Sequence, residues 1–66
     1  MKLIDLLKVF EYNLPFTIEL DGDHFCYRST DELWKDSVFY EEVKNKVVTS
    51  IWFSKYLYET IVIVLA

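Results

Sequence analysis

The sequence predicts an α+β domain built on a four-stranded, mostly antiparallel sheet, and three observations lead to this. Asp21-Gly22 joins two stretches in which apolar and polar residues alternate, as in a hairpin. From Val47 onward the chain is rich in β-branched and aromatic residues, which favour strands. The chain opens with apolar residues at helical spacing, namely Leu3, Leu6, Leu7 and Phe10. We therefore expect an N-terminal helix on one sheet face and a short helical connector between two hairpins.

The opening helix is predicted to be amphipathic and about ten residues long. Lys2, Asp5 and Lys8 occupy the side opposite the leucines. Asn13 and Pro15 are expected to end the helix, because the residue before a proline avoids the helical backbone region.

The first hairpin begins with a strand over Phe16–Leu20, whose odd-numbered residues, such as Thr17, face away from the apolar row. Thr17 is therefore expected to tolerate alanine. The second strand is predicted over His24–Ser29. A two-residue loop gathers four apolar side chains on one face, namely Phe16, Ile18, Phe25 and Tyr27. A three-residue loop would bring His24 and Cys26 to that face instead, so the two-residue loop is preferred.

The connector between Thr30 and Lys44 has a weaker helical pattern. Ser29 and Glu32 have the spacing of a capping box, which marks a helix start. Asp36-Ser37 can interrupt the helix and begin a new turn. One irregular helix and two short helices both remain open.

The second hairpin is predicted from a strand over Val47–Phe53 and a last strand over Tyr58–Leu65. Ile61–Leu65 is apolar on both faces, so the last strand is expected in the sheet interior. The second sheet face is covered either by the connector or by another subunit.

A chain of 66 residues supports one domain, spanning residues 1–66. Cys26 is the only cysteine, which excludes an internal disulfide and favours a reducing, cytoplasmic setting. Asp5 and Lys8 interrupt the opening apolar run, so we expect no signal peptide. The longest apolar run, Ile61–Ala66, is too short to span a bilayer, and no membrane partner is expected.

The net charge of −4 argues against direct binding of nucleic acid, because phosphate backbones attract clustered lysines and arginines. The acids are concentrated in the connector and form a candidate acidic patch: Asp31, Glu32, Asp36, Glu41 and Glu42. Such a patch is either a solvated helix face or a mimic of phosphates that docks on a basic protein.

Aromatic residues make up 18% of the chain, more than a small core easily holds. Tyr and Trp are enriched in protein interfaces. The interface candidates are therefore Trp34, Phe39, Tyr40, Trp52, Tyr56 and Tyr58.

The sequence offers little catalytic chemistry. Asp21-Gly22-Asp23-His24 lacks the later ligands of a calcium loop, and its Asp-Gly pair is explained by the turn. His24 and Cys26 lie on one strand face without an orienting third group. No phosphate loop, dinucleotide fingerprint, nucleophile elbow or zinc pattern occurs, so we expect no cofactor, no metal and no enzyme.

The opening Met1-Lys2-Leu3-Ile4-Asp5-Leu6-Leu7-Lys8-Val9 resembles the start of small uncharacterised proteins of Gram-positive bacteria and their phages. The Asp-Gly hairpin, Val48-Thr49-Ser50-Ile51 and Tyr56-Leu57 follow in the same order. The resemblance implies an intracellular, phage-derived accessory protein and transfers no functional residue.

The leading hypothesis is a non-enzymatic protein-interaction or accessory module that self-associates, in the simplest case as a homodimer. The alternative is a phage-type acidic inhibitor that blocks a host nucleic-acid-binding protein. A minimal enzyme is the least favoured reading.

Overall fold

Three short helices pack on one four-stranded sheet in the described parts of the chain, residues 1–10, 14–55 and 59–66 of a computed structural model. The prediction of an α+β fold is confirmed. The predictions for Asn13, Tyr56 and Tyr58 lie outside the described residues. The elements, in chain order, are α1 (Leu3–Leu7), β1 (Phe16–Leu20), β2 (Asp23–Tyr27), α2 (Thr30–Lys35), α3 (Ser37–Val43), β3 (Val48–Ser54) and β4 (Thr60–Leu65).

The strand order is β2-β1-β4-β3, so β4 lies in the sheet interior as predicted. The two hairpin pairs are antiparallel, but β1 and β4 are parallel, with Ile18 opposite Ile63. The sheet is therefore mixed rather than mostly antiparallel. The reason is topological, because the helical connector carries the chain from β2 at one edge of the sheet to β3 at the other, and β4 then pairs with β1 in the interior. Turn signals specify only strands that are neighbours in sequence.

The first hairpin has the predicted two-residue turn and register. Asp21 and Gly22 both have positive φ angles, 53° and 84°, as a type I′ turn requires. Phe16 pairs with Tyr27 and Ile18 pairs with Phe25. Consequently the side chains of β2 alternate between the core side and the exposed side.

The first helix is shorter than predicted, because α1 covers only five residues. After Leu7 the chain continues in tighter turns, with the Val9 N–H donating to the Leu6 carbonyl at 3.1 Å. The apolar spacing still brings Phe10 onto the core, where its ring meets Phe16 edge-on at 5.7 Å.

The connector forms two helices that meet at Asp36, whose backbone is not helical. The Glu32 N–H donates to Ser29 Oγ at 3.3 Å, which is the first bond of the predicted capping box. The Glu32 carboxylate accepts from the backbone N–H of Arg28, at 3.2 Å, rather than from that of Ser29.

All three helices cover the same face of the sheet. Leu33 and Val43 from the connector join the buried cluster formed by α1 and by the inward side chains of the central strands. The connector therefore does not cover the second face. The cluster consists of Leu3, Leu6, Leu7, Phe16, Ile18, Leu33, Val43, Ile63 and Leu65.

The second face, which we call the open face, has a buried polar centre. Thr17 and Val62 are fully buried there, and Thr60 is nearly so. Thr17, which was expected to tolerate alanine because it faces away from the apolar row, does lie on this other face but is buried, and its hydroxyl oxygen lies 2.7 Å from that of Thr60. Within the described ranges, no helix combines the length and apolar character needed to cross a membrane.

Candidate functional site

Strand β3 forms one edge of the sheet, and its beginning has an outer neighbour. The residues before α1 run alongside it, with Lys2 bridged to Val47 and the Val48 N–H donating to the Met1 carbonyl at 2.8 Å. Among the residues that the structure describes, no strand pairs with the outer edge beyond Val48. Part of β3 therefore presents its backbone N–H and carbonyl groups outward.

The uncovered part of β3 coincides with three half-exposed apolar side chains, which we call the β3 edge (Ile51, Trp52 and Phe53). Their exposed fractions are 49%, 44% and 60%, respectively. Ile51 lies opposite Ile63, which places Ile51 and Phe53 on the helix side of the sheet. Trp52 lies opposite Val62 and so belongs to the open face. Each face of this segment thus carries an accessible apolar side chain.

The two edges of the sheet differ in charge. Strand β2, at the other edge, begins with the charged residue Asp23 and is followed by the charged residue Arg28. Charged side chains of this kind discourage another chain from pairing with an edge strand. The run Val47–Ser54 contains no charged residue and no proline, and Lys46 and Lys55 stand only at its ends. The β3 edge therefore lacks the charged residues that discourage pairing at the other edge of the sheet.

The predicted aromatic candidates do not form one surface. Trp34 is half-exposed and, with Tyr40, lines a cleft of about 360 Å³ next to α1. Phe39 is partly buried and packs against the core, with its ring centre 4.6 Å from that of Phe25. Trp52 lies on the opposite side of the sheet, and Tyr56 and Tyr58 fall outside the described residues.

The predicted acidic patch is largely engaged in local contacts. Asp31 pairs with Lys35 at 3.1 Å, and Glu41 pairs with Lys44 at 2.7 Å. These contacts join residues three or four apart on one helix, as solvated helix faces commonly do. Asp36 accepts from the Tyr27 hydroxyl, and Glu32 accepts from a backbone N–H as described above. No such contact accompanies Glu42 in the described part of the chain.

The contact between Tyr27 and Asp36 affects the ionisation of the tyrosine. Burial raises the pKa of Tyr27 to about 12, and the nearby carboxylate of Asp36 adds to this increase. The tyrosine therefore stays protonated at neutral pH and donates to Asp36 over 3.4 Å. The hydrogen bond from Lys44 to Glu41 likewise raises the pKa of Lys44.

His24 and Cys26 each have their own partner on β1 rather than acting as a pair. His24 Nε2 lies 2.9 Å from a Glu19 carboxylate oxygen, and Cys26 Sγ accepts from the Thr17 hydroxyl at 3.4 Å. Cys26 also lines a cleft of about 390 Å³ beside Arg28. Within residues 1–10, 14–55 and 59–66, no group of three or more His, Cys, Asp or Glu side chains is placed to hold a metal.

The interface candidates predicted from the sequence include Trp52 but not its exposed neighbours Ile51 and Phe53. The signal that identifies them is the absence of charge from Val47 to Ser54, combined with an edge position that only the topology reveals. In comparisons with known proteins, no family model, no curated protein and no solved structure matches this chain significantly.

Proposed function

We propose that this protein is a small, non-enzymatic protein-interaction module that self-associates, and that the β3 edge is its docking surface. The observation that carries the proposal is the coincidence of an uncovered, charge-free edge with three half-exposed apolar side chains. Natural proteins normally protect such edges, because they recruit other chains. Strand β2 carries charges at its edge whereas the β3 edge does not. We take this difference to indicate that the β3 edge binds another chain.

The chemistry of the β3 edge fits strand addition. In this mode a partner strand hydrogen-bonds to the exposed backbone, and side chains on both faces add apolar contacts. Trp52 and Phe53 belong to the residue types that anchor interfaces. The net charge of −4 supports a protein partner over nucleic acid, and the lone Cys26 supports a reducing, cytoplasmic setting.

The proposal is tested by sedimentation velocity across micromolar to millimolar concentrations. We expect a mass above that of the 8.0 kDa chain, and we expect association to persist at high salt because apolar contacts are not screened. Trp52→Lys should keep the protein monomeric. The matched control is His24→Lys, which places the same charge on the open face of the other edge strand and should associate like the wild type.

Two results would overturn this function. One is a monomer at every concentration, and the other is equal loss of association in Trp52→Lys and His24→Lys. Circular dichroism of both variants separates loss of docking from loss of folding.

The acidic-inhibitor alternative has less support, because most carboxylates of its patch already have local partners. It predicts the opposite salt response. Binding of a basic partner through Glu41 and Glu42 would weaken steeply as salt rises.

A further inference from the structure

We propose that the occupant of the β3 edge is the same segment of a second copy, paired antiparallel about a two-fold axis at Trp52. This inference rests on the proposed function and adds the partner, the strand direction and the register. Pairing of this kind joins two four-stranded sheets into one of eight strands. Because such an axis is perpendicular to the sheet, the helices of both copies lie on the same face.

The register follows from the side chains that meet. With the axis at Trp52, this residue lies opposite Trp52 of the partner subunit on the open face. Ile51 lies opposite Phe53 of the partner subunit on the helix side. Aromatic–aromatic and aromatic–β-branched pairs are the cross-strand combinations that stabilise antiparallel sheets. The β3 edge is therefore complementary to itself, as a two-fold interface requires.

The neighbouring registers are less favourable. An axis at Ile51 would run the partner strand into Val48, whose N–H already donates to Met1. An axis at Phe53 would place Ile51 opposite Lys55 of the partner subunit and so set an apolar side chain against a charge. The axis at Trp52 keeps the paired segment clear of both obstacles.

The small size of the surface limits the strength of the contact. A large aromatic side chain buries roughly 150–250 Å² when fully enclosed, and those of the β3 edge are already about half-covered. The interface therefore stays below the roughly 1,200 Å² of stable complexes. The subunit exposes 4422 Å², close to the about 4,450 Å² expected of a compact monomer of its mass. We thus expect a reversible dimer of folded subunits that forms at micromolar or higher concentration.

The test is disulfide trapping in a Cys26→Ser background. Trp52→Cys places two thiols opposite each other, within the Cα separation of about 4.4–6.8 Å that a disulfide tolerates. The matched control is Ser50→Cys, on the same strand and face. In the proposed register two copies of residue 50 are offset by four residues, roughly 13 Å along the strand. Mild oxidation should therefore yield a covalent dimer from the first variant and monomer from the second.

Hydrogen exchange on the unmodified protein provides a measurement that does not remove the tryptophan. Raising the concentration from below to above the dissociation constant should slow amide exchange within the β3 edge, while amides of β2 should be unaffected. Equal trapping of both cysteine variants overturns the register. A dimer by sedimentation without added protection in the β3 edge overturns this mode of pairing but leaves the proposed function standing. A monomer at every concentration overturns both.

Discussion

The hydroxyl oxygens of Thr17 and Thr60 lie 2.7 Å apart across the parallel strands β1 and β4. Thr17 donates its single proton to Cys26 Sγ at 3.4 Å, which leaves Thr60 as the donor in the threonine pair. A short polar chain thus crosses three strands on the open face. These hydrogen bonds give the buried hydroxyls partners on the face of the sheet that the three helices do not cover.

We expect Thr17→Val to destabilise the protein by about 1–3 kcal/mol, since valine keeps the volume but removes a buried hydrogen bond. Urea unfolding monitored by circular dichroism measures the loss. The double variant Thr17→Val/Thr60→Val, compared with the two single variants, measures the coupling between the two hydroxyls, and we expect its loss to be smaller than the sum of the two single losses. A Thr17→Val protein as stable as the wild type would show that the threonine pair contributes nothing.

Local chemistry explains why the first hairpin was predictable and the central strand pair was not. Asp21 and Gly22 specify a two-residue turn, and that turn fixes the register of the strands it joins. The pairing of Ile18 with Ile63 joins residues far apart in sequence. Alternation shows which face a residue occupies but says nothing about strand direction, so the parallel pair could not be read from the pattern.

The presence of exposed aromatic residues was predictable from the sequence, but which residues are exposed was only partly predictable. An excess of aromatic residues correctly indicates that some stay at the surface, yet residue type alone does not select which ones. Phe39 is packed against Phe25, whereas Phe53 is 60% exposed. The difference arises because Phe53 lies on an edge strand, and strand order depends on the long-range pairing of β1 with β4.

We expect Ser29→Ala to cost about 1 kcal/mol, because it removes the side-chain acceptor of the Glu32 N–H at the start of α2. Ser37→Ala is the matched control. It changes the same residue type at the first position of α3, a helix whose cap residue, Asp36, makes no side-chain hydrogen bond to the helix backbone. Thermal melts of the two variants compare them, and equal melting temperatures would rule out the capping role of Ser29.

The raised pKa of Tyr27 predicts a loss of stability at high pH. Below the ordinary tyrosine pKa of 10.0, Tyr27 is protonated in both the folded and the unfolded chain. Between pH 10 and about 12 the unfolded chain releases this proton while the folded protein retains it, so the free energy of unfolding falls. The contribution of Tyr27 to the free energy of unfolding is therefore fully present below pH 10. It is lost as the pH rises through the pKa that Tyr27 has in the folded protein.

Tyr27→Phe isolates this contribution, because the two proteins differ only in the Tyr27 hydroxyl. We expect the stability of the wild type to fall more steeply than that of Tyr27→Phe from about pH 9 to about pH 12. Urea midpoints across this range provide the measurement. Parallel pH profiles for the two proteins would contradict the raised pKa.

The interior position of β4 predicts a large difference between two isoleucines that face each other. Ile63 on β4 and Ile51 on β3 are cross-strand partners on the same face of the sheet. Ile63 is fully buried, whereas Ile51 is 49% exposed. Truncating a buried isoleucine to alanine removes apolar contacts and leaves a cavity, at a cost of about 2–5 kcal/mol.

We therefore expect Ile63→Ala to lose a large part of a total stability that is near the lower end of about 5–15 kcal/mol for a domain this small. Ile51→Ala should remain folded, because water already reaches much of its side chain. Unfolding should be followed at concentrations below dimer formation, so that docking at the β3 edge does not add to the stability of the reference protein. Because the two substitutions remove the same atoms from paired positions, similar urea midpoints would mean that β4 is not the buried strand that joins the two hairpins.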